Sequence, residues 1–322
     1  MYDQVSERLR NYYSGPQNCE DVFVHDRQTG QTTRVSVASD GSQGNDSSLG
    51  SSISTDGRYV AFESEASNLV SVDTNETGDV FVHDRHTGQT TRVSVASDGT
   101  QGNSDSGSPS ISADGRYVAF TSDASNLVSG DMNGVYDVFV HDRQSGQTTR
   151  LSLASDGTQG NVESMWPSIS ADGRYVAFAS AASNLVSGDT NESYDIFVHD
   201  RQTGQTTRVS LASDGTQGDY DSSLPPSISA DGRYVAFASL ASNLVSGDTN
   251  GVYDVFVHDR QTGQTTRLSV ASDGTQGDDS SYFFYSISAD GRYVAFSSTA
   301  TNLVSGDTND FGDVFVRDRG GD

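Results

Sequence analysis

Apolar residues in this chain come in short runs separated by polar, glycine-rich stretches, and the same runs recur from end to end. Arg-Tyr-Val-Ala-Phe and Asp-Val-Phe-Val-His are apolar at consecutive positions, the pattern of a strand covered on both faces. Gln-Thr-Thr-Arg-Val-Ser-Val alternates instead, with Thr33, Val35 and Val37 opposed to Arg34 and Ser36, which predicts a half-exposed outer strand. Ser-Ile-Ser is short and built of small residues, as suits a crowded position. Ala-Asp-Gly-Arg and Gln-Thr-Gly-Gln, between the runs, have turn chemistry.

The spacing is regular. Asp-Val-Phe-Val-His-Asp-Arg begins at Asp21, Asp79, Asp137, Asp195, Asp254 and Asp313, with Ile196 and Arg317 as departures, at intervals of 58 or 59 residues. The Ser-Ile-Ser motif begins five times, at Ser52, Ser110, Ser168, Ser227 and Ser286, and Gln-Thr-Thr-Arg recurs five times between Gln31 and Gln264. Four antiparallel strands per unit, graded from small and inner to polar and outer, describe the blade of a β-propeller. The expected fold is all-β: a propeller over residues 21–319, with residues 1–20 as an N-terminal tail or cap and 320–322 as a C-terminal tail. Five inner strands imply five blades, and the strand near Thr32–Val37 is expected to complete the last one. One third-strand copy is then surplus, either Asp21–His25 or Asp313–Arg317, a candidate exposed edge for pairing between copies.

Ser-Ala-Asp-Gly-Arg-Tyr-Val-Ala-Phe-x-Ser, then Asp-Val-Phe-Val-His-Asp, then Thr-Gly-Gln-Thr-Thr-Arg resembles the PD40 (WD40-like) repeat of TolB-type propellers. The chain departs from it in having Ala or Thr where Pro is usual, and in a long Asn/Asp-rich connection between the second and third strands. The resemblance implies an extracytoplasmic (periplasmic or secreted) setting. It is weak for function, because propellers host many activities.

Composition narrows the partners. The 322 residues carry a formal charge of −25, and all 19 basic residues are arginine. Such a field opposes nucleic acid and anionic membrane surfaces and favours basic partners. Cys19 is the one cysteine, so an intrachain disulfide is excluded. No stretch is apolar over a membrane-spanning length, and Met1–Arg10 lacks the apolar core of a signal peptide.

Two features stand out from the uniform scaffold. The segment before each inner strand varies, and there the chain places Met165 and its one tryptophan, Trp166, then Tyr220 and Leu224, then Tyr282, Phe283, Phe284 and Tyr285. Aromatic groups at the rim of a central channel are either binding anchors or a plug. The connection between the second and third strands repeats Asp-x-Asn-x-x-x-Asp, as Asp73/Asn75/Asp79, Asp131/Asn133/Asp137, Asp189/Asn191/Asp195, Asp248/Asn250/Asp254 and Asp307/Asn309/Asp313. Oxygen ligands so spaced suit Ca²⁺, although the glycine and distal glutamate of an EF-hand are missing; Asx-turns explain the same pattern. His25, His83, His141, His199 and His258 share one strand position and read as structural, and no nucleophile elbow, metal-type Cys/His cluster or phosphate loop is present. These features point to a non-catalytic propeller that binds a protein, peptide or glycan. The alternatives are a glycan lyase or hydrolase acting in the channel, and a structural repeat without an evolved ligand.

Overall fold

The computed structural model describes residues 19–309 and 311–320. It contains β1 (Phe23–Asp26), β2 (Gln31–Arg34), β3 (Ser48–Ile53), β4 (Tyr59–Ser64), β5 (Asp79–Asp84), β6 (Gln89–Arg92), β7 (Ser106–Ile111), β8 (Tyr117–Ser122), β9 (Asp137–Asp142), β10 (Gln147–Arg150) and β11 (Ser164–Ile169). The chain continues with β12 (Tyr175–Ser180), β13 (Asp195–Asp200), β14 (Gln205–Arg208), β15 (Ser227–Ile228), β16 (Tyr234–Ser239), β17 (Asp254–Asp259), β18 (Gln264–Arg267), β19 (Ser281–Ile287), β20 (Tyr293–Ser298) and β21 (Asp313–Asp318). Consecutive strands pair antiparallel as blades: β3–β6, β7–β10, β11–β14 and β15–β18 are four-stranded, and β19–β21 is three-stranded. We number these blades one to five. β1 and β2 form a separate two-stranded hairpin.

Within a blade the two middle strands are buried, and their phenylalanines stack in register, as Phe178 on Phe197 at 6.0 Å between ring centroids. The turns share one design. Ser170 Oγ donates to Asp172 Oδ1 at 2.6 Å, Gly173 takes a left-handed backbone (φ +71°), and Arg174 forms a two-pronged pair with Asp200 at 2.9 and 2.7 Å. That guanidinium holds the Asp200 carboxyl far below the ordinary carboxylate range.

Blade meets blade through a repeated lock. The Tyr117 ring of blade two lies between its own Arg116 and Arg201 of blade three, with guanidinium carbons 4.7 and 4.2 Å from the ring centroid. The turn of blade three closes over the same ring, so that a Cβ on Gly173 would lie 2.2 Å from Tyr117 Cδ2. Only glycine allows both that approach and the left-handed turn. A backbone bond, Ala113 N–H to the Ala171 carbonyl at 3.0 Å, ties the turns together. Apolar packing completes the junction, with Ala119, Val138 and Val140 against Ile169, Val176, Phe178 and Phe197. Tyr59, Tyr175 and Tyr234 repeat the arrangement with Arg143, Arg260 and Arg319.

Two expectations are corrected. The strand near Thr32–Val37 does not complete the last blade: β2 pairs with β1 in the local register Asp26↔Gln31, and no strand pairing joins blade five to the hairpin or to blade one among the described residues. The hairpin closes over a short turn, and Val22 and Val35 bury against Val60, Phe62 and Phe81 of blade one, so two short-range gains outweigh a long-range pairing. Blade five consequently leaves Val314 and Val316 77% and 67% exposed. Arg317, the one departure from His in the motif, points its Nη1 to the Val270 carbonyl at 3.5 Å, where the other blades use a fourth-strand threonine. The outer strands also stop at the arginine. The serine that follows, Ser210 for example, is fully buried rather than half-exposed, because its hydroxyl receives the Ile196 N–H and donates to Asp195. Residues 1–18 of the expected tail lie outside the described residues.

The lock makes a sharp prediction. Gly157 has φ +87° and open space around it, whereas Gly173 has φ +71° and the tyrosine. Gly157→Ala should cost about 1 kcal/mol, the backbone term alone. Gly173→Ala adds overpacking, for a total of roughly 2–5 kcal/mol. Chemical denaturation of both variants checks this, and equal losses would contradict the lock.

Candidate functional site

The variable ends of the inner strands carry a bulge. In β11, Met165 pairs with Ala179 and Ser168 with Ala177, so Trp166 and Pro167 together oppose one residue of β12. The first bulge residue adopts a left-handed backbone, the usual place for glycine, and blade one has Gly50 there at φ +54°. Blade two has Ser108 at φ +52° and blade three Trp166 at φ +56°. A bulky residue in this conformation costs roughly 1–3 kcal/mol, and the proline that follows restricts it further. The backbone N–H groups are anchored sideways to the preceding blade: Ser108 N–H to Glu63 Oε2 at 2.6 Å, and Trp166 N–H to Thr121 Oγ1 at 3.0 Å.

These bulges line a cleft of about 320 Å³ spanning blades one to three. Its apolar walls are Leu49, Tyr136, Met165 and Trp166, and its acidic groups are Glu63, Glu65 and Asp105; no basic residue lines it. Trp166 is half-buried, packed on one side against the core shared by blades three and four. Glu63 Oε1 makes no hydrogen bond to the described residues, while Asp105 Oδ1 receives the Gly78 N–H at 3.0 Å.

Of the eight aromatic and apolar residues expected at the rim, the structure brings Met165 and Trp166 into this cleft. They sit within a strand, not a loop, because the bulge lets β11 continue past them. Tyr220 is 62% exposed, and Leu224 precedes Pro225 and Pro226, whose missing N–H groups shorten β15 to two residues. Tyr282 packs against Tyr253 with ring centroids 5.5 Å apart and planes tilted by 35°. Tyr285 packs against the core between blades four and five, where burial raises its hydroxyl pKa. The Phe283 and Phe284 side chains lie outside the described residues. Sequence reasoning missed Glu63. Its signal was present: the position after Arg-Tyr-Val-Ala-Phe reads Glu63, Thr121, Ala179, Ala238 and Ser297, one carboxylate among small residues.

The Asp-x-Asn-x-x-x-Asp loops form ion-pair boxes. In blade three, Arg208 Nη1 lies 3.2 Å from Asp189 Oδ1 and 3.1 Å from Asp195 Oδ2, in the place a cation between the two carboxylates would take. Gln217 Nε2 donates to Asp189 at 3.1 Å, and Ser210 Oγ donates to Asp195 at 2.5 Å. Asn191 turns its amide N–H toward the Gly218 carbonyl at 2.9 Å and its carbonyl oxygen toward the Ser193 N–H at 3.3 Å, the Asx-turn geometry. Asn75, Asn133 and Asn250 do the same. Their amides donate to the Gly102, Gly160 and Gly277 carbonyls at 3.0, 3.1 and 3.0 Å, and their side-chain oxygens accept the Thr77, Val135 and Val252 N–H groups. Arg92, Arg150 and Arg267 fill the boxes of Asp73/Asp79, Asp131/Asp137 and Asp248/Asp254.

In blades one to four the structure places the residues expected as Ca²⁺ ligands in these arginine-filled boxes. The aspartates are partners of arginine, which arrives from the fourth strand. Asn75, Asn133, Asn191 and Asn250 are Asx-turn residues, because each commits its side-chain oxygen to its own loop backbone. Asp307 and Asp313 of blade five have no fourth-strand arginine among the described residues, and Asn309 Nδ2 donates to Asp313 at 3.2 Å. Burial pushes Asp195 and Asp248 up to about 6. The repeated histidines are structural: His258 Nδ1 meets Thr265 Oγ1 at 2.9 Å, and that hydroxyl bonds the Leu211 carbonyl of the preceding blade. Burial lowers His258 to about 4.

No protein-family profile matches the sequence, and no curated protein matches it. Among solved structures, the fold matches a TolB from Agrobacterium tumefaciens at 18% identity and TM-score 0.53, covering 93% of this chain and 84% of that one. It also matches an oligogalacturonate lyase in complex with manganese at 14% identity and TM-score 0.52, covering 92% and 71%. TolB from Acinetobacter baumannii aligns at 20% identity and TM-score 0.49, and the chain spans 57% of its length. The fold is thus that of the TolB-type β-propellers.

The boxes predict a pH-dependent defect. Arg208→Ala leaves two buried carboxylates unpaired and should cost roughly 3–5 kcal/mol at neutral pH. The folded pKa of Asp195 lies above its ordinary 3.8, so the folded state binds the proton first. Arg208 holds the Asp195 pKa down, so its loss raises that pKa further. The cost is full above the variant's folded pKa, shrinks as pH falls through it, and levels off below about 6, where the parent's carboxyl is protonated too. Denaturation midpoints of variant and parent between pH 8 and about 4.5 measure this, and a pH-independent difference would contradict it.

Proposed function

We propose that this chain is a non-catalytic propeller that holds a protein, peptide or glycan ligand in the cleft of blades one to three. The observation that carries the reading is Trp166. A repeat otherwise uniform at its turns and central strands places its one tryptophan where glycine is preferred, at a conformational cost, and aims it at a cavity. Strain of this kind persists where it serves a site rather than the fold. Aromatic walls with a few convergent polar groups are the usual make-up of a binding cleft. The acidic groups of the cleft stand beside hydrophobic walls, which suits recognition.

Trp166 also supplies the test, since it is the chain's sole tryptophan and its emission reports on the cleft directly. Titration with panels of peptides and neutral and acidic oligosaccharides should give a saturable change with at least one class, the ligand being recovered intact. Trp166→Gly installs the residue type of blade one, so the melting temperature should stay within about 4 °C while affinity, measured for parent and variant by titration calorimetry, falls at least roughly tenfold. Ligand turnover, or undiminished binding by Trp166→Gly, would overturn the proposal.

A further inference from the structure

Resting on that reading, we infer that the cleft is specific for a cationic peptide segment, an arginine or lysine flanked by an apolar residue. Three carboxylates line it and no arginine does. Two repeated sets of aspartates elsewhere are matched by arginine. The inner aspartates of blades one to four are each matched by a fourth-strand arginine, and the turn aspartates Asp84, Asp142, Asp200 and Asp259 by a strand-two arginine. The cleft is thus an acidic pocket whose lining carries no cation.

Its geometry says what the matching ligand is. Glu63 is fixed by the Ser108 N–H at 2.6 Å through one oxygen and keeps the other for a donor. Trp166 and Tyr136 are aromatic faces on the same cavity. An aliphatic stem along such faces ending in a charged head at a carboxylate is how arginine and lysine side chains are held, by cation–π and charge-assisted contacts together. The chain already uses this pairing at its junctions, where Arg201 lies 4.2 Å from the Tyr117 centroid. Leu49 and Met165 provide the apolar surface for a neighbouring side chain. A neutral glycan would bring Glu63 and Glu65 no counter-charge, and an acidic one would be repelled by them. The formal charge of −25 adds long-range attraction for the same class of partner.

The probes are Ac-Leu-Arg-Leu-Arg-amide, its Gln and Glu counterparts, and cellohexaose, titrated against the full chain by Trp166 emission. The Arg peptide should bind, with affinity falling steeply between about 50 and about 500 mM salt, and the Glu peptide should give no change. Glu63→Gln keeps an acceptor for the Ser108 N–H and removes the charge, so affinity for the Arg peptide should fall roughly tenfold. Glu65→Gln, at an exposed position, should give a smaller loss in the same direction without touching the fold. Binding of the Gln peptide or cellohexaose as tight as that of the Arg peptide, or no loss in either variant, would overturn the inference while leaving the cleft a binding site. Silence of Trp166 toward all four probes would overturn the inference, and silence across the wider panels as well would remove the underlying reading with it.

Discussion

Everything in this chain hangs on one junction, the tyrosine of one blade clamped between its own arginine and the arginine of the next. A single blade cannot bury both faces of its central strands, so stability comes from neighbours. The clamp sets how those neighbours meet. A left-handed glycine lets the next turn close over the ring, and the backbone bonds from Thr55 to Ala113, Ala113 to Ala171, Ala171 to Ala230 and Ala230 to Ala289 run from blade to blade. Where the clamp is incomplete, burial fails. Tyr293 has only Arg292 over its ring among the described residues and is 40% exposed, and Ile53, which has no inner strand before it, is 48% exposed, whereas Ile169 is 8% exposed.

The clamp lies at one end of the strands and the cleft at the other. That separation explains how the repeat stays so uniform while one region diverges. The Asp-Gly-Arg turn must keep its glycine, because it closes over the tyrosine of the preceding blade. The bulge positions bond the preceding blade through backbone N–H groups, so their side chains are free to change. Gly50, Ser108 and Trp166 occupy the same backbone state with three different chemistries. The extra residue that lengthens the last two repeats from 58 to 59 lies in the same segment, between Ser222 and Ile228 and between Ser281 and Ile287.

Much of this was legible in the sequence, for physical reasons. Buried central strands must be apolar at consecutive positions, and tight turns need Asp-Gly or Thr-Gly, so the four-stranded unit and its two faces could be read from Val-Phe-Val and Tyr-Val-Ala-Phe directly. What escaped depends on contacts between distant segments. Asp189, Asn191 and Asp195 look like a self-contained cation loop until Arg208 arrives from the next strand. Trp166 looks like a loop residue until the bulge draws it into β11. Glu63 was hidden inside a motif whose other positions carry the fold. The outer strand Gln31–Arg34 has the residues to complete a blade, but its nearest partner in sequence takes it first.

The central claim is that blade-to-blade locking, not the individual blade, holds this chain together. Amide hydrogen exchange at the junction residues tests it most directly. Thr55, Ala113, Ala171 and Ala230 each donate to the next blade at 2.9 to 3.0 Å, while Ala289, at the equivalent position in blade five, has no such acceptor among the described residues. The account predicts slow exchange at the first four and fast exchange at Ala289, in otherwise identical turns. Equal protection at all five amides would contradict it, since protection would then belong to the turn itself and not to the junction.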